Sequence, residues 1–399
     1  MILSFPFFAE KNILYLAEEN MKKILFIVNT LEFFLSHRLP LAEAARKSGF
    51  EVHIASAPGP SLGQLKELGF EHHAIDLARS GQNPFKELLS ITSMLRIFQE
   101  VRPQVVHLIT IKPVLYGGLI ARFSGVDLVV AAVSGLGTVF LSHSGLARLR
   151  KKFISFLYRQ AFRQRKLAVI FQNPDDRQVL LDIDALSLDQ SRLIRGSGVD
   201  LLNYSCLPEP EGMPVVVMAA RLLRDKGVYE YIEAIRVLRR RGIEVCSRLI
   251  GAPDPGNPSS IGQAQLDAWA AEGIVELLGY RRDIAQQYAA ANIVCLPSYR
   301  EGLPKCLVEA AACGRAVVTT NVPGCRDAIE PEVTGLLVPV RDAEALADAL
   351  QRLIESPVLR HSMGAAGRVL AEREFAIEKI VDAHLNIYRE MASQTGRVG

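Results

Sequence analysis

Short runs of Val, Ile and Leu alternate along this chain with segments whose apolar residues recur every three to four positions. The first kind predicts buried strands and the second predicts helices lying on a sheet. Strands are expected at 24–29, 51–56, 105–109, 128–133 and 167–172. Helices are expected at 39–47 and 61–68, each closed by a glycine, and near 85–101, 114–123 and 145–164. The series then restarts, with strands at 215–220, 244–250, 275–278, 293–296, 316–319 and 335–338 and helices at 227–241 and near 261–272. Continuously apolar strands separated by helices imply parallel sheets covered on both faces. The break falls at 205–213, which holds Pro208, Pro210 and Gly212. The pattern therefore predicts an α/β protein of two doubly wound domains, divided at 204/205. Ligands of such folds bind beyond the carboxyl ends of strands.

Composition narrows the possibilities without naming a chemistry. The chain has 399 residues, 49% of them hydrophobic and 22% charged, and a formal net charge of +3. That balance gives no footprint for nucleic acid. No segment reaches the roughly 18–20 apolar residues of a bilayer span. The uncharged run 128–142 is broken by Ser134, Gly135 and Gly137. Residues 1–20 lack the basic start of a signal peptide, and Met21-Lys-Lys-Ile-Leu-Phe reads as a domain start, so 1–20 is expected to be an extension. Six cysteines without a CxxC fit buried thiols in a reducing cytoplasm. Segment 148–166 carries Arg148, Arg150, Lys151, Lys152, Arg159, Arg163, Arg165 and Lys166, interleaved with Phe153, Phe156 and Tyr158. It reads as an amphipathic helix that docks on an anionic membrane surface. The plainer alternative is a surface helix whose aromatics face its own core. Docking would make the chain a cytoplasmic protein, peripheral on the inner face of the membrane.

The candidate chemistry lies in two strand-to-helix loops. Residues 297–304, Pro-Ser-Tyr-Arg-Glu-Gly-Leu-Pro, follow one strand and open a helix of small residues. Exposed N–H groups at a helix start attract phosphate or hydroxyl oxygens, and Gly302 lets a ligand approach the backbone. Glu301 repels phosphate but accepts hydrogen bonds from sugar hydroxyls. Glu309 lies about 12 Å further along the helix axis, beyond the roughly 5–9.5 Å of a glycosidase carboxylate pair. The two carboxylates suit opposite ends of one long ligand; the alternative is a solvated Glu309. Arg221 and Lys226 flank the earlier loop and can neutralise a diphosphate. Together these groups fit a nucleotide sugar. In the first half His37, Arg38 and Lys112 follow strand ends and are acceptor-side candidates, whereas His107 sits on a strand and is expected to pack. The histidines show no metal-ligand spacing along the sequence. Gly135-x-Gly137 lacks the third glycine of a dinucleotide fingerprint, position 140 being Phe. Cys306 has no histidine near it in sequence to make it a catalytic thiol.

With those residues in hand, the chain resembles the retaining GT-B glycosyltransferases of family 4. The matching positions are Arg221, Lys226-Gly227, Gly279-Tyr280, Pro297-Ser298, Glu301-Gly302, Glu309-Ala310, Gly314 and Gly335-Leu-Leu-Val-Pro339, with Gly198-Val199-Asp200 before the break. Stretches 34–40, 134–137 and 324–329 look like the bacterial subgroup of polyprenyl-diphosphate-sugar N-acetylgalactosaminyltransferases. The resemblance implies that Arg221 and Lys226 bind the donor diphosphate and stabilise the leaving nucleoside diphosphate. It implies that Glu301 holds donor-sugar hydroxyls, with Gly302, Leu303 and Pro304 beside sugar and phosphate. Glu309 would bind the ribose, and Tyr280 and Arg281 would lie beside the base. Ser134 and Gly135 would approach the donor sugar, although the family often has His where Ser134 stands. It further implies a UDP-linked donor, a lipid-linked or other glycan acceptor, no metal and no cofactor, and domains 21–204 and 205–375 followed by a closing segment 376–399 whose helix, 376–392, crosses back to the first domain. The competing readings are a catalytically silent nucleotide-sugar binder and a sugar epimerase of the same fold.

Overall fold

The apolar runs form two sheets, described by a computed structural model for residues 22–77, 84–136, 145–254 and 256–393. The proposed extension 1–20 and Gly137 lie outside these residues. The first sheet runs β3-β2-β1-β4-β5-β6-β7, with β1 Lys23–Thr30, β2 Glu51–Ala57, β3 Glu71–Ala74, β4 Val105–Ile109, β5 Leu128–Val133, β6 Leu167–Phe171 and β7 Ser191–Leu193. From β3 through β5 every pairing is parallel. The second runs β10-β9-β8-β11-β12-β13, all parallel, with β8 Val215–Ala219, β9 Cys246–Ile250, β10 Glu276–Gly279, β11 Ile293–Leu296, β12 Ala316–Thr320 and β13 Gly335–Val338. In each sheet the third, second and first strands lie on one side of the fourth, the doubly wound order. β4, β5, β6, β11 and β12 are buried along their whole length, which is why they read as unbroken apolar runs.

Several elements differ from expectation. β3 and β7 were not expected: Glu71-His-His-Ala is short and polar, and Ser191–Leu193 has three residues. The helix Pro174–Asp182 was also missed. The segment expected at 114–123 begins as a π turn, Pro113–Gly117, before the short helix Gly118–Ala121. The basic helix spans Gly145–Ala161 rather than 148–166, so Arg163, Arg165 and Lys166 lie in the connection to β6.

By internal packing the chain forms two compact units that interleave along the sequence. One takes the residues up to Ala132, Phe156–Val169 and those from His384 onward; the other takes Val133–Ser155 and Ile170–Ala383. The two sheets themselves lie on either side of the 205–213 break, β1–β7 before it and β8–β13 after it. The last helix, Ile377–Ser393, contributes residues to both. In the first unit His107 on β4 is wholly buried, stacked on Phe26 at 5.2 Å and hydrogen-bonded to the Tyr388 hydroxyl at 2.5 Å. Burial holds His107 neutral by driving its pKa well below the usual histidine value. In the second unit the break segment is laid down rather than loose. Buried Arg315 donates to the carbonyls of Leu207 (2.9 Å) and Pro208 (3.2 Å), and Arg360 pairs with Glu209 at 2.7 Å.

Candidate functional site

The strand order of the second sheet reverses between β8 and β11, and a doubly wound sheet opens its ligand crevice beyond the carboxyl ends at that point. The loops leaving both strands carry the charged residues singled out in the sequence. After β8, Arg224–Lys226 make one tight turn and Gly227 (φ 77°) swings the chain into the helix Val228–Arg240. A Cβ on Gly227 would meet the Pro297 carbonyl oxygen at 2.1 Å, so both conformation and contact require glycine.

That approach brings the loop after β11 against the loop after β8. The Tyr299 N–H donates to Asp225 O at 2.8 Å. Ser298 Oγ lies 2.7 Å from Glu301 Oε1 and 3.1 Å from Asp225 O. It has one proton, and the shorter, charge-assisted bond to the carboxylate takes it. Lys226 Nζ forms an ion pair with the same Glu301 oxygen, the two side chains being 19% and 14% exposed. A cation and a carboxylate from separate loops thus meet where the fold opens.

The turn at Gly302 is fixed from behind. A Cβ there would sit 2.2 Å from the Ser134 carbonyl oxygen, and one on Gly135 (φ 126°) would sit 3.3 Å from Gly302 N. Asn173 Nδ2 donates to Gly302 O at 2.7 Å, while its Oδ1 caps the helix Pro174–Asp182 by accepting from Asp176 N at 2.8 Å. The buried Asp176 carboxylate is ion-paired with Arg300. All these groups belong to the second unit.

Residues 23–173 match the family model "Glycosyl transferase 4-like", and residues 213–356 match "Glycosyl transferases group 1". The N,N'-diacetylbacillosaminyl-diphospho-undecaprenol alpha-1,3-N-acetylgalactosaminyltransferase of Campylobacter jejuni is 27% identical over 82% of this chain and 90% of its own length. The UDP-Gal:alpha-D-GlcNAc-diphosphoundecaprenol alpha-1,3-galactosyltransferase of Escherichia coli is 23% identical over 77% of this chain and 80% of its own. Among solved structures, sucrose-phosphate synthase from Thermosynechococcus elongatus superposes with a TM-score of 0.76 at 20% identity, covering 94% of this chain and 100% of that one. The chain is a glycosyltransferase of the GT-B fold.

Other residues expected in the glycosyltransferase site differ in exposure and in the partners they hold. Arg221 is 57% exposed and bonds to Asp254 at 3.1 Å. Tyr280 is 74% exposed beyond β10, and Arg281 pairs with Asp283 at 2.6 Å. Leu303 is buried, and a Cβ on Gly196 would touch its Cδ2 at 2.8 Å; Pro304 is the N-cap of the helix Lys305–Ala312, whose first turn no side chain caps. Glu309 is not the solvated side chain of the plainer alternative. It is buried, accepts from the Tyr204 hydroxyl at 2.6 Å and lies 3.3 Å from Lys305 Nζ. Burial raises its pKa, and Lys305 and Tyr204 oppose that rise. Desolvation also raises the Cys306 thiol well above its usual value, with Glu301 and Glu309 adding to the rise, which disfavours the thiolate.

The acceptor-side candidates occupy the first unit. His37 stacks on Phe33 at 4.1 Å, and Lys112 pairs with Glu87 at 2.6 Å. Arg38 departs from expectation: it is buried, and desolvation lowers its pKa to about 10. Its place is inside the core rather than at an open strand end. Asn173, Asp176 and Arg300 were not identified as site residues from sequence. Asn173-Pro174 directly after a strand is a helix-start signal that points to the first of them.

Proposed function

We propose that this glycosyltransferase moves a hexose or N-acetylhexosamine from a UDP-sugar, with retention, to a polyprenyl-diphosphate-linked or other glycan acceptor in cell-surface glycan assembly. The observation that carries the reading is the Lys226–Glu301 ion pair held over the Gly302 turn. The undecaprenyl-diphosphate acceptors and UDP donor in the names of the relatives support the substrate classes.

In this reading the donor diphosphate lies against Lys226 and Arg221. An exposed ion pair contributes about 1 kcal/mol or less, so Arg221 exchanges Asp254 for phosphate at small cost. Glu301 takes sugar hydroxyls, with the backbone of Gly302 and Leu303 and the Ser134-Gly135 turn alongside. The uncapped helix start at Pro304 adds N–H donors. Glu309 takes ribose hydroxyls, and Tyr280 and Arg281 flank the base. The bond from the anomeric carbon to the diphosphate breaks as the acceptor oxygen attacks from the same face. The leaving phosphate accepts the hydroxyl proton, giving nucleoside diphosphate and the new glycoside. Lys226 stabilises the charge that develops on that phosphate, a role that needs no metal and no cofactor.

The reading includes a peripheral position on the inner membrane face. On the helix Gly145–Ala161, Leu149, Phe153 and Phe156 are 67%, 60% and 52% exposed. Their spacing puts them on one side of the helix, with Arg150, Lys151, Lys152 and Arg159 on the same element. Among the described residues no helix is long and apolar enough to cross a membrane. An apolar stripe within a basic helix suits an anionic lipid surface.

The test combines purified protein with a panel of UDP- and GDP-sugars and a polyprenyl-diphosphate-sugar, and follows nucleoside diphosphate release. Release that requires one donor and the lipid acceptor together supports the reading. Release with only water-soluble acceptors refutes the lipid-linked assignment, and donor binding without release under any acceptor favours a silent binder.

A further inference from the structure

The face of the first sheet at its β3 edge carries a cluster that glycosyl transfer does not use. Strand register places His53 on β2 opposite Glu71 on β3, and Ala55 opposite His73. Alternate residues of a strand share a face, so His53, Glu71 and His73 project to one side, with Glu51 two residues before His53. His53 Nδ1 lies 3.1 Å from His73 Nε2 and 3.3 Å from Glu71 Oε2, and Glu71 Oε1 lies 3.7 Å from His73 Nε2. Metal–nitrogen bonds of about 2.0–2.1 Å in a tetrahedron separate neighbouring donors by about 3.3 Å. The three groups are therefore spaced as three corners of such a shell.

The surroundings fix which nitrogen is offered. His53 Nε2 donates to Glu51 Oε1 at 2.8 Å, and Lys23 stands 3.4 Å from the same oxygen. With Nε2 donating, metal binding would use the Nδ1 lone pair, and Nδ1 faces the other two donors. A carboxylate behind a ligating imidazole is the arrangement that orients histidine on metals. The His53 and His73 side chains are 5% and 13% exposed, whereas Glu71 is 63% exposed, which leaves the fourth corner open to water. His72 takes no part: its Nε2 lies 2.9 Å from Ser56 Oγ, whose position on β2 is on the other face.

We propose that His53, Glu71 and His73 bind a divalent transition-metal ion of the zinc class, clamping the edge strand β3 to β2. Two imidazoles and one carboxylate favour such ions over magnesium or calcium, which prefer all-oxygen shells. The site serves stability, because β3 has four residues and, among the described residues, a neighbour on one side only.

The experiment takes tag-free, full-length protein stripped with a chelator and titrates it with zinc chloride in competition with a chromophoric chelator, then records thermal unfolding. One equivalent is expected to bind at micromolar concentration or below, and a hundredfold excess over Kd should raise Tm by about 3 °C. His73→Ala should weaken binding by at least about 30-fold and, at the same zinc concentration, cut the Tm rise to about a third or less, since losing one ligand removes a third of the protein donors. Glu71→Gln, at an exposed position, should weaken binding without loss of fold and serves if His73→Ala does not fold. Failure of the wild-type protein to bind overturns the proposal. So does binding that both variants retain unchanged.

Discussion

Replacing Lys226 by methionine removes the charge of the central pair and keeps most of the stem. Glu301 would then be left with the Ser298 hydroxyl. Breaking a fully buried pair costs about 3–5 kcal/mol, and an exposed pair contributes about 1 kcal/mol or less. Side chains 19% and 14% exposed fall between these cases, so the stability cost should be about 2–3 kcal/mol. The effect on transfer has a separate origin. Losing a group that stabilises developing charge lowers kcat by about 10²–10³-fold, or about 2.7–4 kcal/mol. Glu301→Gln separates the two effects. In urea denaturation the double variant should cost less than the sum of the singles by about 1–3 kcal/mol, because each single strands the same partner. In steady-state kinetics the Lys226→Met loss should persist in the Glu301→Gln background, because stabilising the leaving phosphate does not pass through Glu301. An unchanged kcat with a raised KM would refute the leaving-group role. A coupling energy of zero would refute the ion pair itself.

Gly302→Ala would put a methyl group 2.2 Å from the Ser134 backbone oxygen, which has no flexible end to move aside. A stability loss of about 3 kcal/mol, together with loss of transfer, is expected; an unchanged Tm by calorimetry would remove the contact. Phe153→Ser with Phe156→Ser should weaken sedimentation with anionic vesicles by at least about 30-fold, each ring contributing about 1.5–3 kcal/mol on full burial. Equal partition of variant and parent would sink the docking surface. Glu309 has a folded pKa raised above the ordinary 4.5, mainly by desolvation. Its favourable contribution is complete below that value and is lost as pH rises through the folded one. Glu309→Gln lacks this loss, so urea midpoints compared at pH 4.5 and pH 7 should shift in the variant's favour at the higher pH, and a pH-independent difference would contradict the assignment.

The fold was legible where burial on both faces leaves an unbroken apolar run. The expected strands 105–109, 128–133, 293–296 and 335–338 have the same bounds as β4, β5, β11 and β13. β3 was illegible because an edge strand faces solvent and Glu71-His-His-Ala carries no apolar signal. Missing that strand hid the His53–Glu71–His73 group, whose ligands become neighbours through register rather than spacing. Glu301 and Lys226 could be found because strand-end loops of doubly wound folds are where ligands sit. The burial of Glu309 and Arg38 could not be found that way. It depends on distant residues, Tyr204 in one case and Tyr388 in the other, that only tertiary packing brings near.

The contact between His107 and Tyr388 also bears on synthesis at the ribosome. Its partners are 281 positions apart. At about 5–20 residues per second the chain needs about 15–60 s to travel from one to the other. Leu385, Ile387 and Tyr388 are buried, and the residues from His384 onward belong with the first sheet's unit. The part made first therefore completes its interior last, so vectorial folding must carry an unfinished N-terminal unit until the C-terminal helix emerges. Nascent chains stalled before His384 should leave β1 to β5 open to protease, and release of the full chain should close them.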